Sequence, residues 1–396
     1  MSERAESRIP PNRRVVVFDT TLRDGEQSAG VAFSARDKVE IALALADLGV
    51  DVVEAGFPGA SQGELEAVRA VAAEVRSVVV CGLARAVAGD VEAAAEALRG
   101  AARSRIHVFV NASDMQLAHQ LGKGREEVIR IATQNVRCAR DATPDVEFSP
   151  MDATRADRGF LLELVAAAVA AGARTINLPD TVGCARPAGI ARLFRDVQAR
   201  VPGIEGVTLS FHGQDDLGLA TANALAAVEA GAGQVEVAVN GIGERAGNTS
   251  LEEVVMVLRV HGPDLGIRTG VDPRGIHSLS RLVERRSGIQ VPPNKAVVGA
   301  NAFRHASGIH QDGVLKFRQN YELIDPDEIG HPVGTQIVLG KLSGRAGFRE
   351  RIRQLGFGLE DDAFEAAFRR FQERADGQRV VADDDLREIC RASAAA

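Results

Sequence analysis

The chain has no tryptophan and a single tyrosine, Tyr321. Proteins that hold single-stranded nucleic acid stack bases on aromatic rings, and this chain has too few rings to do so. Its net charge of −7 also lacks the basic surplus of a nucleic-acid surface. Cysteine is sparse: Cys81, Cys138, Cys184 and Cys390 are scattered, with no C-x-x-C pair. That excludes a disulfide framework and fits reduced thiols in a cytoplasmic protein. No apolar run reaches membrane-spanning length. The first fourteen residues carry four arginines and no apolar stretch, so they do not read as a secretory signal. No G-x-G-x-x-G turn follows the first strand-like run, which counts against an open doubly wound sheet, the runner-up fold.

What is present is a globular composition, 45% hydrophobic and 26% charged over 396 residues. That is enough for one large domain and a smaller one. Strand-like runs fall at 15–19, 51–57, 78–83, 106–110, 146–149, 175–178, 208–211 and 235–239. Segments rich in Ala, Leu, Glu and Arg at helical spacing lie between them. Several of these close on glycine (Gly49, Gly172, Gly231), as helix C-termini do. Eight such units in about 250 residues predict a (β/α)8 barrel, a TIM barrel, over 14–263. Beyond it the rhythm breaks. A helix is expected within 264–285, irregular Gly-, Pro-, His- and Asn-rich structure over 286–345, and helices over 346–392. Phe364, Phe368 and Phe371 are expected core residues, and Asp383 or Asp384 an N-cap. The expected second domain is a smaller, mainly helical subdomain over 264–396.

The unusual polar residues gather at the carboxyl ends of the predicted strands. The first ends in FDTTLRDGEQ (18–27), with Asp19, Arg23, Asp24 and Glu26. Later ends read FSPMDATR (148–155), NLPDTVG (177–183), FHGQDDLG (211–218) and NGIGERAGN (240–248). One such end is an ordinary solvated loop; so many at one barrel mouth is the layout of an active site. Asp24, His212, Gln214 and Asn248 offer one imidazole nitrogen and several oxygens. His212 and Gln214 stand two apart, on one strand face. Such a set suits Mg, Mn or Co better than a structural zinc. A one-residue slip would put Asp215 in place of Gln214. His212 alone would read as a core histidine; with Asp24 and Asn248 at neighbouring strand ends it reads as a ligand.

These stretches, with GVDVVEAGFPGAS, DLGLATANALAAVEAGAGQVEVAVNGIGERAGNTSLEEVV, PPNKAVVGANAFRHASGIHQDGVLK and VLGKLSGR, resemble the 2-isopropylmalate synthase and homocitrate synthase family. That family is the Claisen-condensing branch of the DRE-metallolyase barrels. The similarity covers nearly the whole chain. It implies an acyltransferase that condenses acetyl-CoA with a 2-oxo acid to a 2-substituted malate and CoA. A divalent metal would be held by Asp24, His212, Asn248 and the variant Gln214. Arg23 would steady the developing negative charge, and Thr181 would hydrogen-bond the substrate carboxylate. His310 and Tyr321 match the family's essential His and Tyr in the segment after the barrel. A homodimer is implied, because that segment reaches over a partner's barrel.

The chain departs from the family pattern at four residues and in its extent. Gln214 replaces a second metal histidine. Met151 replaces a glutamate beside the substrate. Leu342 and Ala306 stand where the family has His and Glu. The chain ends where many relatives continue, so no leucine regulatory domain and no leucine feedback are expected. Met151 removes a negative charge, so an anionic 2-oxo acid would be repelled less. Candidates are 2-oxoglutarate, oxaloacetate, phosphonopyruvate or phosphinopyruvate, as in alkylmalate synthases of antibiotic pathways. They stand beside 3-methyl-2-oxobutanoate. A reading from another class is a non-catalytic barrel that only binds a ligand. The lyase branch of the same barrels is a further alternative.

Overall fold

The computed structural model describes residues 12–377 and 380–394. Eight parallel strands close into a barrel in chain order. They are β1 (Val16–Asp19), β2 (Val52–Gly56), β3 (Val79–Arg85), β4 (Ser104–Asn111), β5 (Val146–Met151), β6 (Thr175–Asp180), β7 (Thr208–Gly213) and β8 (Gln234–Val237). Pairing of Val16 with Gln234 and Asp19 with Val237 joins β1 to β8 and completes the closure. Each overlaps an expected strand, with small shifts at the ends.

Helices α1 (Ala35–Leu48), α2 (Gln62–Glu74), α3 (Ala88–Ala97), α4 (Arg125–Ala142), α5 (Arg158–Ala171), α6 (Pro187–Arg200), α7 (Ala220–Glu229) and α8 (Leu251–Leu265) follow the strands. The local chemistry of α1 shows why they start and stop. Ser34 accepts from the Asp37 amide while Asp37 accepts from the Ser34 amide, a reciprocal N-terminal cap. Gly49, at φ 90°, closes the helix in the left-handed region that glycine enters freely.

The barrel interior is built in layers by alternate residues of each strand. One part is apolar, with Phe18, Val52 and Cys81 packed together. Beside it lies a charged layer. Arg105 donates to Glu147 at 2.8 Å and to Gln234 at 2.7 Å, and Gln234 donates to Glu147 at 2.8 Å. Above these, His107 bridges Glu54 (2.8 Å) and Ser149 (2.7 Å). Buried charge is tolerable only when paired in this way. The pairing carries a polar column up to the mouth.

The chain divides into two compact units, Met1–Gln290 and Val291–Ala396. The barrel unit therefore runs past residue 263, where the sequence pattern placed the boundary. Its added helix α9 (Ile276–Ser287) packs on α1. Ser280 also ties it to the end of β8, donating to Asn240 Oδ1 at 2.6 Å and accepting from Asn240 Nδ2 at 3.0 Å.

The second unit contains α10 (Gly308–Lys316), α11 (Arg345–Gln354), α12 (Asp361–Asp376) and α13 (Asp383–Ala394). Phe364, Phe368 and Phe371 pack with Phe348 in its core, as expected. The expected irregular stretch over 286–345 holds α10. Asp383 and Asp384 lie inside α13; the backbone contact before it is Ala382 N to Asp385 Oδ2 at 3.2 Å. Among the described residues no helix is long and apolar enough to cross a membrane.

Candidate active site

Asp24, His212, Gln214 and Asn248 meet at the carboxyl mouth of the barrel, and all four are buried. Asn248 Nδ2 donates to Asp24 Oδ1 at 3.0 Å, and His212 Nε2 lies 4.0 Å from Asp24 Oδ2. The Gln214 carboxamide is 3.1 Å from His212 Nε2 and 3.0 Å from Asn248 Oδ1. An antiparallel bridge between Gln214 and Asn248 holds their two loops together. Asp215 is engaged elsewhere, accepting from Ala220 N at 2.9 Å. It is therefore Gln214 that faces the group.

Each of these side chains is held from behind. Arg23 donates through Nη1 to Asp24 at 2.7 Å and through Nε to Glu54 at 2.6 Å. Burial pushes the Glu54 carboxyl upward, but the Arg23 charge and the His107 hydrogen bond outweigh it, and its pKa is lowered. Burial acts on Asp24 in the same sense and is outweighed by Arg23 and His212, so Asp24 is also held below the usual carboxylate range. His212 Nδ1 is 2.8 Å from Glu236. That contact fixes the imidazole so that Nε2 faces Asp24. Burial draws the His212 pKa down, yet the Glu236 hydrogen bond and carboxylate charge leave it raised.

Beside the group opens a cavity of about 260 Å³. Phe57, Leu83, Phe109, Met151 and Pro179 form its apolar wall, and Arg23, Asn177, Thr181 and Arg245 its polar side. Thr181 Oγ1 accepts from Asp152 N at 2.9 Å, so its own hydroxyl proton remains to be donated. Asn177 Oδ1 and Glu236 Oε1 are buried without a hydrogen-bond partner. Buried polar atoms left unpaired cost stability, and here both belong to residues that line the cavity.

In the second unit His310 and Tyr321 stack with ring centroids 4.2 Å apart. The sequence accommodates this with Gly313, where an added Cβ would lie 2.4 Å from the Tyr321 ring. Both aromatic side chains are exposed.

Comparison with known proteins now bears on this arrangement. Residues 14–283 match the HMGL-like family, and 297–379 match the homocitrate synthase post-HMGL domain-like family. The chain is 51% identical to a 2-isopropylmalate synthase of Pyrococcus abyssi, over 95% of this chain and 77% of that one. It is 49% identical to 2-isopropylmalate synthase 1 of Caldanaerobacter subterraneus, over 95% of each. The chain belongs to the 2-isopropylmalate synthase family. Its reaction class is the Claisen-type condensation of acetyl-CoA with a 2-oxo acid. The barrel also resembles HMG-CoA lyase of Bacillus subtilis, with a TM-score of 0.60 at 23% identity over 72% of this chain and 97% of that one. That likeness is one of fold.

Enzymes of the HMGL-like family use a divalent cation. Two parts of this family member have donors close enough to share one. In the first, ligand atoms of Glu54, Cys81 and His107, and of His107, Glu147 and Glu236, lie within 4.8 Å of one another. The oxygens of Glu54 are already taken by Arg23, Thr20 and His107. Burial pushes the Cys81 thiol well up. The second part is the Asp24 group. Here the Gln214 carboxamide has two hydrogen-bonded orientations. With its nitrogen donating to the carbonyls of Gly247 (2.9 Å) and Glu244 (3.2 Å), its oxygen faces His212 Nε2 at 3.1 Å and Asn248 Oδ1 at 3.0 Å. One imidazole nitrogen beside carboxylate and carboxamide oxygens is donor chemistry suited to a hard divalent cation, and this set fits one better.

Sequence reasoning left out Glu236, His107, Glu147 and Arg105. The signal was present as polar residues alternating along strands: Arg105 and His107, Glu147 and Ser149, Gln234 and Glu236. Charge at every second position of a buried strand marks an inward-facing network.

Proposed function

We propose that this member of the 2-isopropylmalate synthase family condenses acetyl-CoA with a 2-oxo acid bearing a short branched apolar group, as in 3-methyl-2-oxobutanoate. The carrying observation is the apolar wall of Phe57, Leu83, Phe109, Met151 and Pro179 beside the Asp24 group. Both guanidinium groups lining the cavity are spent on protein partners. Arg23 is held by Glu54 and Asp24, and Arg245 by Asp216 and the Thr181 carbonyl. With Arg23 directed to the keto oxygen and Arg245 held on the loops, no guanidinium of the cavity is assigned to a second anionic group on the substrate.

A divalent cation held by Asp24, His212, Asn248 and Gln214 would supply Lewis-acid polarisation of the keto group. Thr181 donates its hydroxyl proton to the substrate carboxylate. Arg23, fixed by two carboxylates, stabilises negative charge that develops on the keto oxygen as the new bond forms. His310 and Tyr321 serve the proton transfer from the acetyl-CoA methyl group. The methyl carbon then bonds to C2 of the 2-oxo acid, and water cleaves the thioester to release CoA. Cytoplasmic location and a homodimer complete this reading. Ile309, Phe317, Tyr321, Leu323 and Leu342 leave apolar surface exposed on the second unit, as an interface would.

Met151 favours a second reading, an anionic 2-oxo acid, since it removes a carboxylate from the cavity. Thiol release from acetyl-CoA with a panel of 2-oxo acids separates the two. Preference for 3-methyl-2-oxobutanoate is expected. Preference for 2-oxoglutarate, oxaloacetate or a phosphonopyruvate would establish the second reading instead, and no thiol release with any acid would remove both.

A further inference from the structure

Arg245 occupies a conformation that its side chain must justify. Its φ of 53° lies in the left-handed region, uncommon for any residue but glycine. A non-glycine residue held there carries backbone strain, which persists where surrounding contacts impose it. The contacts are specific. Arg245 Nε donates to Asp216 Oδ1 at 2.8 Å, and Nη2 donates to Asp216 Oδ2 at 3.0 Å. Nη2 also donates to the backbone carbonyl of Thr181 at 2.7 Å. One side chain on the loop after β8 thus grips the loops after β6 and β7.

Those loops leave little room for slack. An added Cβ at Gly183 would lie 2.7 Å from Asp216 N and from Gln214 O. Asp215 N donates to Gly247 O at 2.9 Å, joining the β7 and β8 loops backbone to backbone. The Thr181 hydroxyl is steered from its other side by the Asp152 amide. Arg245 thus holds the Thr181 backbone while the Asp152 amide engages the hydroxyl oxygen.

We infer that Arg245 is a positioning residue for the 2-oxo acid: it clamps the Thr181 carbonyl so that the Thr181 hydroxyl meets the substrate carboxylate. This rests on the proposed substrate contact of Thr181. The clamp acts on 2-oxo acid binding and leaves acetyl-CoA recognition alone. Its removal therefore separates the two Michaelis constants, which general loosening of the fold would not do.

The test is a double-mutant cycle of Arg245→Gln and Thr181→Ala in the full chain, with both Michaelis constants and kcat measured. Thr181→Ala is expected to raise KM for the 2-oxo acid about tenfold, and Arg245→Gln to raise it several-fold. KM for acetyl-CoA should stay within about twofold in each. The double variant should match Thr181→Ala alone, because Arg245 acts through Thr181. Additive effects would overturn the inference and make Arg245 a direct substrate contact. Parallel rises in both Michaelis constants with a lowered melting temperature would overturn it in favour of a structural role. Arg245→Lys keeps the charge but cannot bridge Asp216 and Thr181 together. It should reproduce most of the effect at wild-type stability; wild-type kinetics in Arg245→Lys would also sink the idea. If Thr181→Ala leaves KM for the 2-oxo acid unchanged, the proposed substrate contact fails first.

Discussion

Glu236 lines the cavity and decides how His212 is presented. Its oxygen sits 2.8 Å from His212 Nδ1. A carboxylate behind a ligating imidazole fixes its tautomer and raises its basicity. Glu236→Gln should weaken Mn binding by about 10–100-fold while Mn still binds, as outer partners of metal ligands do. Calorimetric titration of metal-free protein checks this, and unchanged affinity would show that His212 is not a ligand. At this scale much was readable in advance. Asp24, His212, Gln214 and Asn248 were visible as polar residues at strand ends, and the structure brings them together. Choosing between Gln214 and Asp215 was not possible, because strand alternation fixes a side chain's face only once the register is known. The engagement of Asp215 with Ala220 N supplied that register.

Helix α10 shows how an element can hide from its sequence. Gly308 and Gly313 lower its helical propensity, and the segment reads as irregular. Both glycines answer to close packing. An added Cβ at Gly308 would lie 2.7 Å from Gly344 N, and one at Gly313 lies on the Tyr321 ring. Propensity and tertiary packing therefore pull in opposite directions here, and packing prevails. Gly313→Ala should strengthen the helix locally but push Tyr321 off His310. The expected outcome is a loss of kcat of about tenfold or more with unchanged helix content by circular dichroism, consistent with the usual share of acid–base catalysis. Wild-type kcat in this variant would remove Tyr321 from the proton-transfer account. The barrel strands were legible for the opposite reason: apolar periodicity, glycine caps and parallel pairing all agree along 12–265.

The molecule as a whole carries buried carboxylates that resist ionisation. Asp19 is pushed up to about 7 by burial, with Glu252 and Glu54 adding to it against two Thr21 hydrogen bonds. Its folded value lies above the unfolded value of about 4, so Asp19 favours the fold while protonated. That contribution is present below about pH 4 and is lost as pH rises through about 7. Asp19→Asn removes it. The melting temperature of the variant relative to wild type should therefore climb by several degrees between pH 5 and pH 8. A constant difference by scanning calorimetry would show that Asp19 ionises normally in the fold.

The exposed apolar side chains of the second unit make the other prediction at this scale. Leu323 is 78% exposed and Leu342 77%. If the proposed homodimer uses this face, Leu323→Glu shifts the mass in solution toward the monomer and lowers turnover. A wild-type protein that sediments as a monomer would contradict the dimer.

The chemistry at the barrel mouth hangs on one arrangement, a cation shared by Asp24 and His212. Anomalous diffraction from crystals soaked in Mn tests it most directly. The predicted result is a single peak within coordination distance of Asp24 Oδ and His212 Nε2, with Asn248 and Gln214 alongside. A peak between Glu54 and His107, or none at the mouth, would contradict the account.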